Sequence, residues 1–402
     1  MKFNKLMIVV AAASFLAACD GNGGGPVDPN FNPLEVSKAG VLAGNETWSG
    51  DSIYVLNGRV VVPAGVELTI EPGTIIKGKE GDGANASTLI IAQGGKLIAQ
   101  GTESAPIIMT SILDNITVGE SAGTNLDQTD AGLWGGLIVL GNAPISADAA
   151  TALIEGLPAN ETYAVYGGTD ANDNSGIFEY ISIRHGGTLI GDGNEINGLT
   201  LAGVGTATTV NHIEVVANID DGIEFFGGTV NATNLVVWAQ GDDAYDIDQA
   251  YAGTIDNFVY VAGPDSDHGL EIDGPEGTTG AGFTATNGTL YGMTAEIADF
   301  RDSAMGTVQN LFITGFDDAG DWEIDETGGA YNFQNGLLTF SEIEIDLSTY
   351  SAGTTIDNVF LDKSGSGMTW NPSDFVTATT TQSVGADETV FTWTYTSLKG
   401  AF

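Results

Sequence analysis

Apolar residues along this chain come in short runs, each closed by Gly or by an Asn-Gly or Asp-Gly pair. Few stretches carry the three-to-four-residue spacing of an amphipathic helix. Val, Ile, Thr, Gly and Asn dominate, which predicts strands and tight turns. The runs also repeat. Asn211, Asn234, Asn257, Asn287, Asn310, Asn335 and Asn358 are separated by 23, 23, 30, 23, 25 and 23 residues. After most of them comes a short apolar strand, as in Leu235-Val236-Val237, Phe258-Val259-Tyr260 and Leu311-Phe312-Ile313. Before several stands Gly-Thr and an apolar residue, as in Gly228-Thr229-Val230 and Gly306-Thr307-Val308. A period of about two dozen residues fits one three-strand coil of a parallel β-helix, and Asn recurring at one turn predicts a ladder of side-chain amides bonded coil to coil. Leucine-rich repeats share the period but need Leu-x-x-Leu-x-Leu spacing, which is missing; propeller blades are longer and antiparallel. The expected fold is all-β: a right-handed parallel β-helix solenoid with three strands per coil.

A second register carries charge. Glu224, Asp246, Glu271, Glu296 and Glu323 each sit between two apolar residues, at intervals of 22, 25, 25 and 27. Strand side chains alternate faces, so if the apolar neighbours point into the core the acids point out, one per coil. Two positions on, on the same face, lie Asp248, Asp273 and Asp325. Coils stack at about 4.8 Å. Two carboxylates that close repel by about 1 kcal/mol in water and several-fold more at a half-buried surface. Bound cations, raised pKa values or a cationic partner would offset this. An oxygen-only array suits Ca²⁺, which makes these eight residues candidate metal ligands. The bland alternative is a solvated acidic face with diffuse counterions.

The N-terminal third shows the same strand pattern in Leu68-Thr69-Ile70-Glu71-Pro72-Gly73-Thr74-Ile75-Ile76, Leu89-Ile90-Ile91-Ala92-Gln93-Gly94-Gly95-Lys96-Leu97 and Gly132-Leu133-Trp134-Gly135-Gly136-Leu137-Ile138-Val139-Leu140-Gly141. With Asp220-Asp221-Gly222-Ile223-Glu224-Phe225-Phe226-Gly227-Gly228-Thr229-Val230 and Gly241-Asp242-Asp243-Ala244-Tyr245-Asp246, these strings resemble bacterial secreted and lipoprotein β-helices of the pectin-lyase-like superfamily. The resemblance covers most of residues 40–390. It implies the fold; the group it points to has no settled activity, and fold alone supplies none.

A narrower resemblance bears on catalysis. Asn218-Ile219-Asp220, Asp242-Asp243, Asp267-His268-Gly269 and Arg301 follow, in order and approximate spacing, the active-site motifs of polygalacturonase-type glycoside hydrolases. It implies Asp220, Asp242, Asp243, His268 and Arg301 as catalytic candidates for inverting hydrolysis of a polysaccharide, which needs one protonated carboxyl, one base and room for water. Asp302-Ser303 follows Arg301 where a lysine is expected, and an acidic face repels a polyuronic acid. A lyase reading is weaker still, since only Arg184 and Arg301 offer a central basic residue. Arg184 and His185, adjacent and so facing opposite ways, read as a paired Arg and a turn His; His212 reads as structural. The three His match no zinc spacing. The six Trp read as packing or capping residues, Trp322 as core.

The ends set the compartment. Lys2 and Lys5 precede an apolar run from Leu6 to Ala18, too short to span a bilayer comfortably. The run ends Leu16-Ala17-Ala18-Cys19, and Cys19 is the one cysteine in 402 residues. This resembles the bacterial lipobox, which implies a signal peptide over 1–18, lipidation of Cys19 and a membrane-anchored lipoprotein, with the outer membrane or cell surface favoured and the periplasmic leaflet open. Residues 19–34 read as lipidated Cys and flexible tether, 35–110 as N-terminal coils, 110–365 as the main β-helix and 366–402 as a C-terminal cap. Net charge is -42, from 53 acidic and 11 basic residues, with 42% apolar residues. Apolar content of that order supports a packed core; the charge excludes nucleic acid as a partner and draws cations. The functional expectation is a lipid-anchored, non-catalytic binding protein for Ca²⁺, a cationic ligand or a glycan. The rivals are a glycoside hydrolase on the same scaffold and an adhesin or accessory subunit of an outer-membrane transporter. Beyond Ca²⁺ no cofactor is expected; polysaccharide or another surface protein is the expected partner.

Overall fold

Between the two ends of the solenoid, core strands pair with the strand about one coil earlier and the strand about one coil later, in parallel. The computed structural model describes residues 34–402 except 148, 156, 159–160 and 190–195. The expected signal segment, Cys19 and nearly all of the expected tether lie outside the described residues. Three sheets run along a right-handed parallel β-helix. The first holds Leu89–Ile91, Leu137–Leu140, Leu199–Ala202, Ile223–Phe226, Tyr245–Asp248, His268–Ile272, Glu296–Phe300, Trp322–Ile324 and Phe360–Asp362. The other two are joined within single long strands such as Ala232–Trp238, Thr254–Val261 and Phe283–Tyr291. Each of these bends at one residue with positive φ: Asn234 at 58°, Asn257 at 58°, Asn287 at 60°. The strand register skips that residue, so the part before it belongs to the second sheet and the part after it to the third. This gives three strands per coil.

Asn is favoured at the bend because its short polar side chain tolerates the left-handed region. The expected amide ladder forms over part of its length. Asn234 Nδ2 donates to Asn211 Oδ1 (2.8 Å), Asn257 Nδ2 to Asn234 Oδ1 (2.7 Å) and Asn310 Nδ2 to Asn287 Oδ1. Between them Asn287 turns to Asp256 Oδ1, at 2.6 Å. Three expected rungs differ. His212, at φ 55°, takes the bend beside Asn211, its ring stacked 4.2 Å from Tyr180. Asn335 caps the helix Thr327–Gln334, and Asn358 lies in the helix Ile356–Val359. Glu342 holds the bend in that coil. An interval near 23 was a coincidence there, because a helix had been inserted into the coil.

The coil interior is one continuous apolar column, from Trp48 and Leu56 to Phe360 and Val376. Trp322 is fully buried against Phe300, Phe340 and Phe360, and Trp48 and Trp134 are equally enclosed. Segments outside the coils cover their outer faces, one of them setting Ile116 on Ile53, Val55, Ile75 and Ile108. The described residues of 141–175 leave the solenoid after Leu140, form a small antiparallel pair (Ala152–Leu153 with Val165–Tyr166), and set Ile145, Ile154, Leu157 and Tyr166 on the apolar outer face of the first sheet. The chain end returns along the outer third sheet, where Phe391 and Tyr395 pack on Val216, Val236, Trp238 and Val259. Arg184 and Glu214 are buried beneath it: Glu214 Oε1 accepts from Thr396 N and Oγ1 (2.7 Å each), and Arg184 lies 4.5 Å from the Tyr395 ring centre. His185 occupies a turn at φ 63°, its Nδ1 2.7 Å from Asp130 O. No helix among the described residues is long and apolar enough to cross a membrane.

Candidate functional site

Beyond the edge of the 141–175 covering, the outer face of the first sheet changes from apolar to acidic. Its column of register partners reads Ile138, Thr200, Glu224, Asp246, Glu271, Asp299, Glu323, Leu361. Alternation explains it: Ile223 and Phe225, Tyr245 and Ile247, and Leu270 and Ile272 fill the core, and the residue between each pair faces out. Glu296, expected as the fourth rung, is not one. It partners His268, and Asp299 holds the rung. Ala298 and Phe300 flank Asp299 as Ala295 and Ile297 flank Glu296, so the local pattern did not separate them. Register does: Phe300 pairs with Ile272 and Ile324 and lies 5.1 Å from Trp322, which puts Asp299 opposite Glu271.

Facing out does not leave these acids in water. Glu224 is 5% exposed, Asp246 8%, Asp299 5% and Glu323 6%. The column divides into three electrostatic zones. In the upper zone Asp221, Glu224 and Asp246 bring one carboxylate oxygen each to within 4.8 Å of one another. Asn197 donates its amide to Glu224, and Asp246 Oδ1 has no hydrogen-bond partner. No Lys, Arg or His among the described residues forms an ion pair with any of the three. Burial first, and then mutual repulsion, pushes all three well above the ordinary carboxylate range. Asp248, also expected as a ligand, lies beside the covering segment, where Gln249 Nε2 donates to Tyr166 Oη at 2.9 Å. Burial, then Glu276 and Asp273, lifts Asp248 to about 7.

The middle zone carries its own cations. His268 Nδ1 lies 2.8 Å from Asp243 Oδ1, 3.8 Å from Asp267 and 3.7 Å from Glu271, and Nε2 lies 3.3 Å from Glu296. Burial works against the charged imidazole. The Asp243 hydrogen bond and the surrounding acids outweigh it and raise the ring to about 9. Arg301 pairs with Glu271 and reaches Asp273 at 2.9 Å and Asp299 at 3.7 Å. Even so, burial and Asp243 push Glu271 up to about 8, and burial pushes Asp299 to about 6. In the lower zone Lys363 pairs with Glu323 and with Asp321 at 3.1 Å. Asp325 is exposed, with Asp299 and Glu323 near it.

The five residues proposed as catalytic therefore fall into two neighbouring groups. Asp243, His268 and Arg301 are linked through Glu271, while Asp220 and Asp242 gather with Asp221. Burial, then Asp243 and Asp267, raises Asp242 to about 6. Sequence reasoning did not single out Asp299, Lys363 or Asn197. Asp299 obeyed the alternation rule and could have been found. Lys363 lies two positions beyond Leu361, where the column turns apolar, and Asn197 comes from a connecting segment outside any repeat.

Compared with known proteins, residues 40–397 match the family model described as pectate-lyase like beta helix domain. No curated protein and no solved structure matches the chain.

Proposed function

We propose that this chain, which belongs to the pectate-lyase-like β-helix family, is a lipid-anchored extracytoplasmic binding protein whose acidic first sheet captures divalent cations, Ca²⁺ foremost. The observation that supports this is the upper zone. Three carboxylates share a buried space, and among the described residues no cationic side chain pairs with them, while the zones beside it are neutralised by His268, Arg301 and Lys363. A buried array of oxygen donors without its own counter-charge favours an ion that accepts oxygen ligands in flexible geometry. Asp221, Glu224 and Asp246 would hold it, with Asn197 beside them. Calorimetric titration of the full chain with CaCl₂ tests the reading. Saturable binding that Glu224→Gln or Asp246→Asn abolishes supports it. Binding that is absent, or unchanged in both variants, removes it.

The anchor rests on the Leu16-Ala17-Ala18-Cys19 string. Metabolic labelling with a fatty acid should mark the protein, and Cys19→Ser should lose the label. A protein that stays unlabelled and soluble after export would refute the anchor. Glycan hydrolysis stays a second reading because Asp242 and Glu271, raised to about 6 and about 8, flank the Asp243–His268 contact, which near neutral pH offers Glu271 as a protonated acid and Asp242 as a base. Reducing-sugar release from neutral or acidic polysaccharides, lost in Asp242→Asn, would support it; none from a broad panel would end it.

A further inference from the structure

The middle zone differs from the upper zone in one chemical respect: it contains a ring nitrogen. His268 is enclosed on every side by acids from its own and neighbouring coils. Asp243 comes from the preceding coil, Asp267 and Glu271 from its own, and Glu296 from the next. The two nitrogens are treated differently. Nδ1 faces three carboxylates at 2.8, 3.8 and 3.7 Å, while Nε2 faces only Glu296, at 3.3 Å. Nδ1 is hydrogen-bonded to Asp243, so it ligates only by giving up its proton, and Glu296 at Nε2 then orients the ring. The geometry points to a second metal site, separate from the oxygen-only site proposed above: we propose that His268 Nδ1, with Asp243 and Asp267, binds a borderline divalent transition ion of the Zn²⁺ class, beside a second group that Glu271 and Asp299 form with the same ring.

Three further observations fit. Ligand atoms each about 2.1 Å from one tetrahedral ion lie roughly 3.4 Å apart. Asp267 therefore closes in on Nδ1 by a few tenths of an ångström, and Asp243 opens by about half an ångström. Glu271 divides its oxygens: Arg301 holds Oε2, which leaves Oε1 toward the imidazole. Asp299, 5% exposed, has an unpartnered carboxylate oxygen and belongs to the same cluster as His268 and Glu271. It is available as a further ligand or as a partner that orients one. A site with one nitrogen and several oxygens prefers transition ions over Ca²⁺, which favours oxygen donors alone. On binding, the ion takes the place of the proton between Nδ1 and Asp243, and that proton leaves to solvent.

The experiment uses the full chain carrying Cys19→Ser, which removes the one thiol. Zn²⁺ titration by calorimetry should show a site that His268→Gln weakens at least 100-fold and that Glu224→Gln leaves intact, whatever Glu224→Gln does to Ca²⁺. Glu296→Gln keeps the ring and should weaken Zn²⁺ about 10- to 100-fold. Bound Cu²⁺ should show coupling to one nitrogen in its electron paramagnetic resonance spectrum, and His268→Gln should lose it. Unchanged Zn²⁺ affinity in both His268→Gln and Glu296→Gln, or nitrogen coupling that survives His268→Gln, overturns the proposal. Because the Ca²⁺ and Zn²⁺ sites share no assigned ligand, the failure of one leaves the other standing.

Discussion

Glu224 and Asp246 are register partners on adjacent first-sheet strands, both more than nine-tenths buried, and among the described residues neither has an ion pair. In a β-helix such a pair cannot separate without disturbing the backbone ladder that stacks them. The repulsion must therefore be relieved by a proton or by an ion, and each route has a measurable consequence.

Protons come first. Asp221, Glu224 and Asp246 are raised well above the carboxylate range, Asp242 to about 6, Asp248 to about 7, Glu271 to about 8 and His268 to about 9. All shift upward, so the folded state holds more protons than the unfolded state across this range. Stability carried by these groups is complete below their unfolded values and is lost as pH rises through the folded ones. In chelator, the melting temperature should fall steadily from pH 5 to pH 9. A flat or rising profile contradicts the burial of this column.

Ion binding should flatten that profile. A ligand at 100 times its dissociation constant adds about 2.7 kcal/mol, so at pH 8 saturating Ca²⁺ should raise the melting temperature by several degrees. Asp246→Asn should show the opposite balance: a higher melting temperature than the parent in chelator, because one buried charge is gone, and little further gain with Ca²⁺.

The cations of the lower column should differ in weight. Arg301→Ala leaves Glu271, Asp273 and Asp299 without their shared partner and should destabilise by roughly 2 kcal/mol, as expected for charged hydrogen bonds in a partly buried setting. Lys363, whose side chain is 41% exposed, should contribute less than about 1 kcal/mol to its pair. Urea unfolding of both variants checks the order.

Glu214 is fully buried between Arg184 and Thr396. Glu214→Ala leaves Arg184 unpaired beneath the returning chain end and should destabilise by about 3–5 kcal/mol. Faster amide exchange should be confined first to residues 384–402 and to the strand Thr209–Val216. Uniform loosening of all coils would argue against a local latch.

At the bend, Asn234→Gly keeps the left-handed backbone but removes the amide bonds to Asn211 and Asn257. Asn234→Ala loses the bonds and adds strain, and should be less stable than Asn234→Gly by about 1 kcal/mol. Thermal melts of the two variants side by side measure that difference.

Much of this could be read from the chain alone, because period and alternation are one-dimensional properties. The coil length, the bends at Asn234, Asn257, Asn287 and Asn310, and the outward parity of Glu224, Asp246 and Glu271 follow from counting residues and asking which of them must be apolar. What counting could not give is whatever depends on coils of unequal length. The choice of Asp299 over Glu296 turned on which of two similarly flanked acids came into register with Glu271, and the loss of Asn335 and Asn358 from the ladder on a helix that happened to preserve the spacing. The burial of the acids, and the division of one column into an uncompensated zone and two neutralised ones, also belong to the tertiary structure. Burial is set by how neighbouring coils close around each rung, and Arg301 and Lys363 reach rungs on neighbouring coils, distances that no sequence interval encodes.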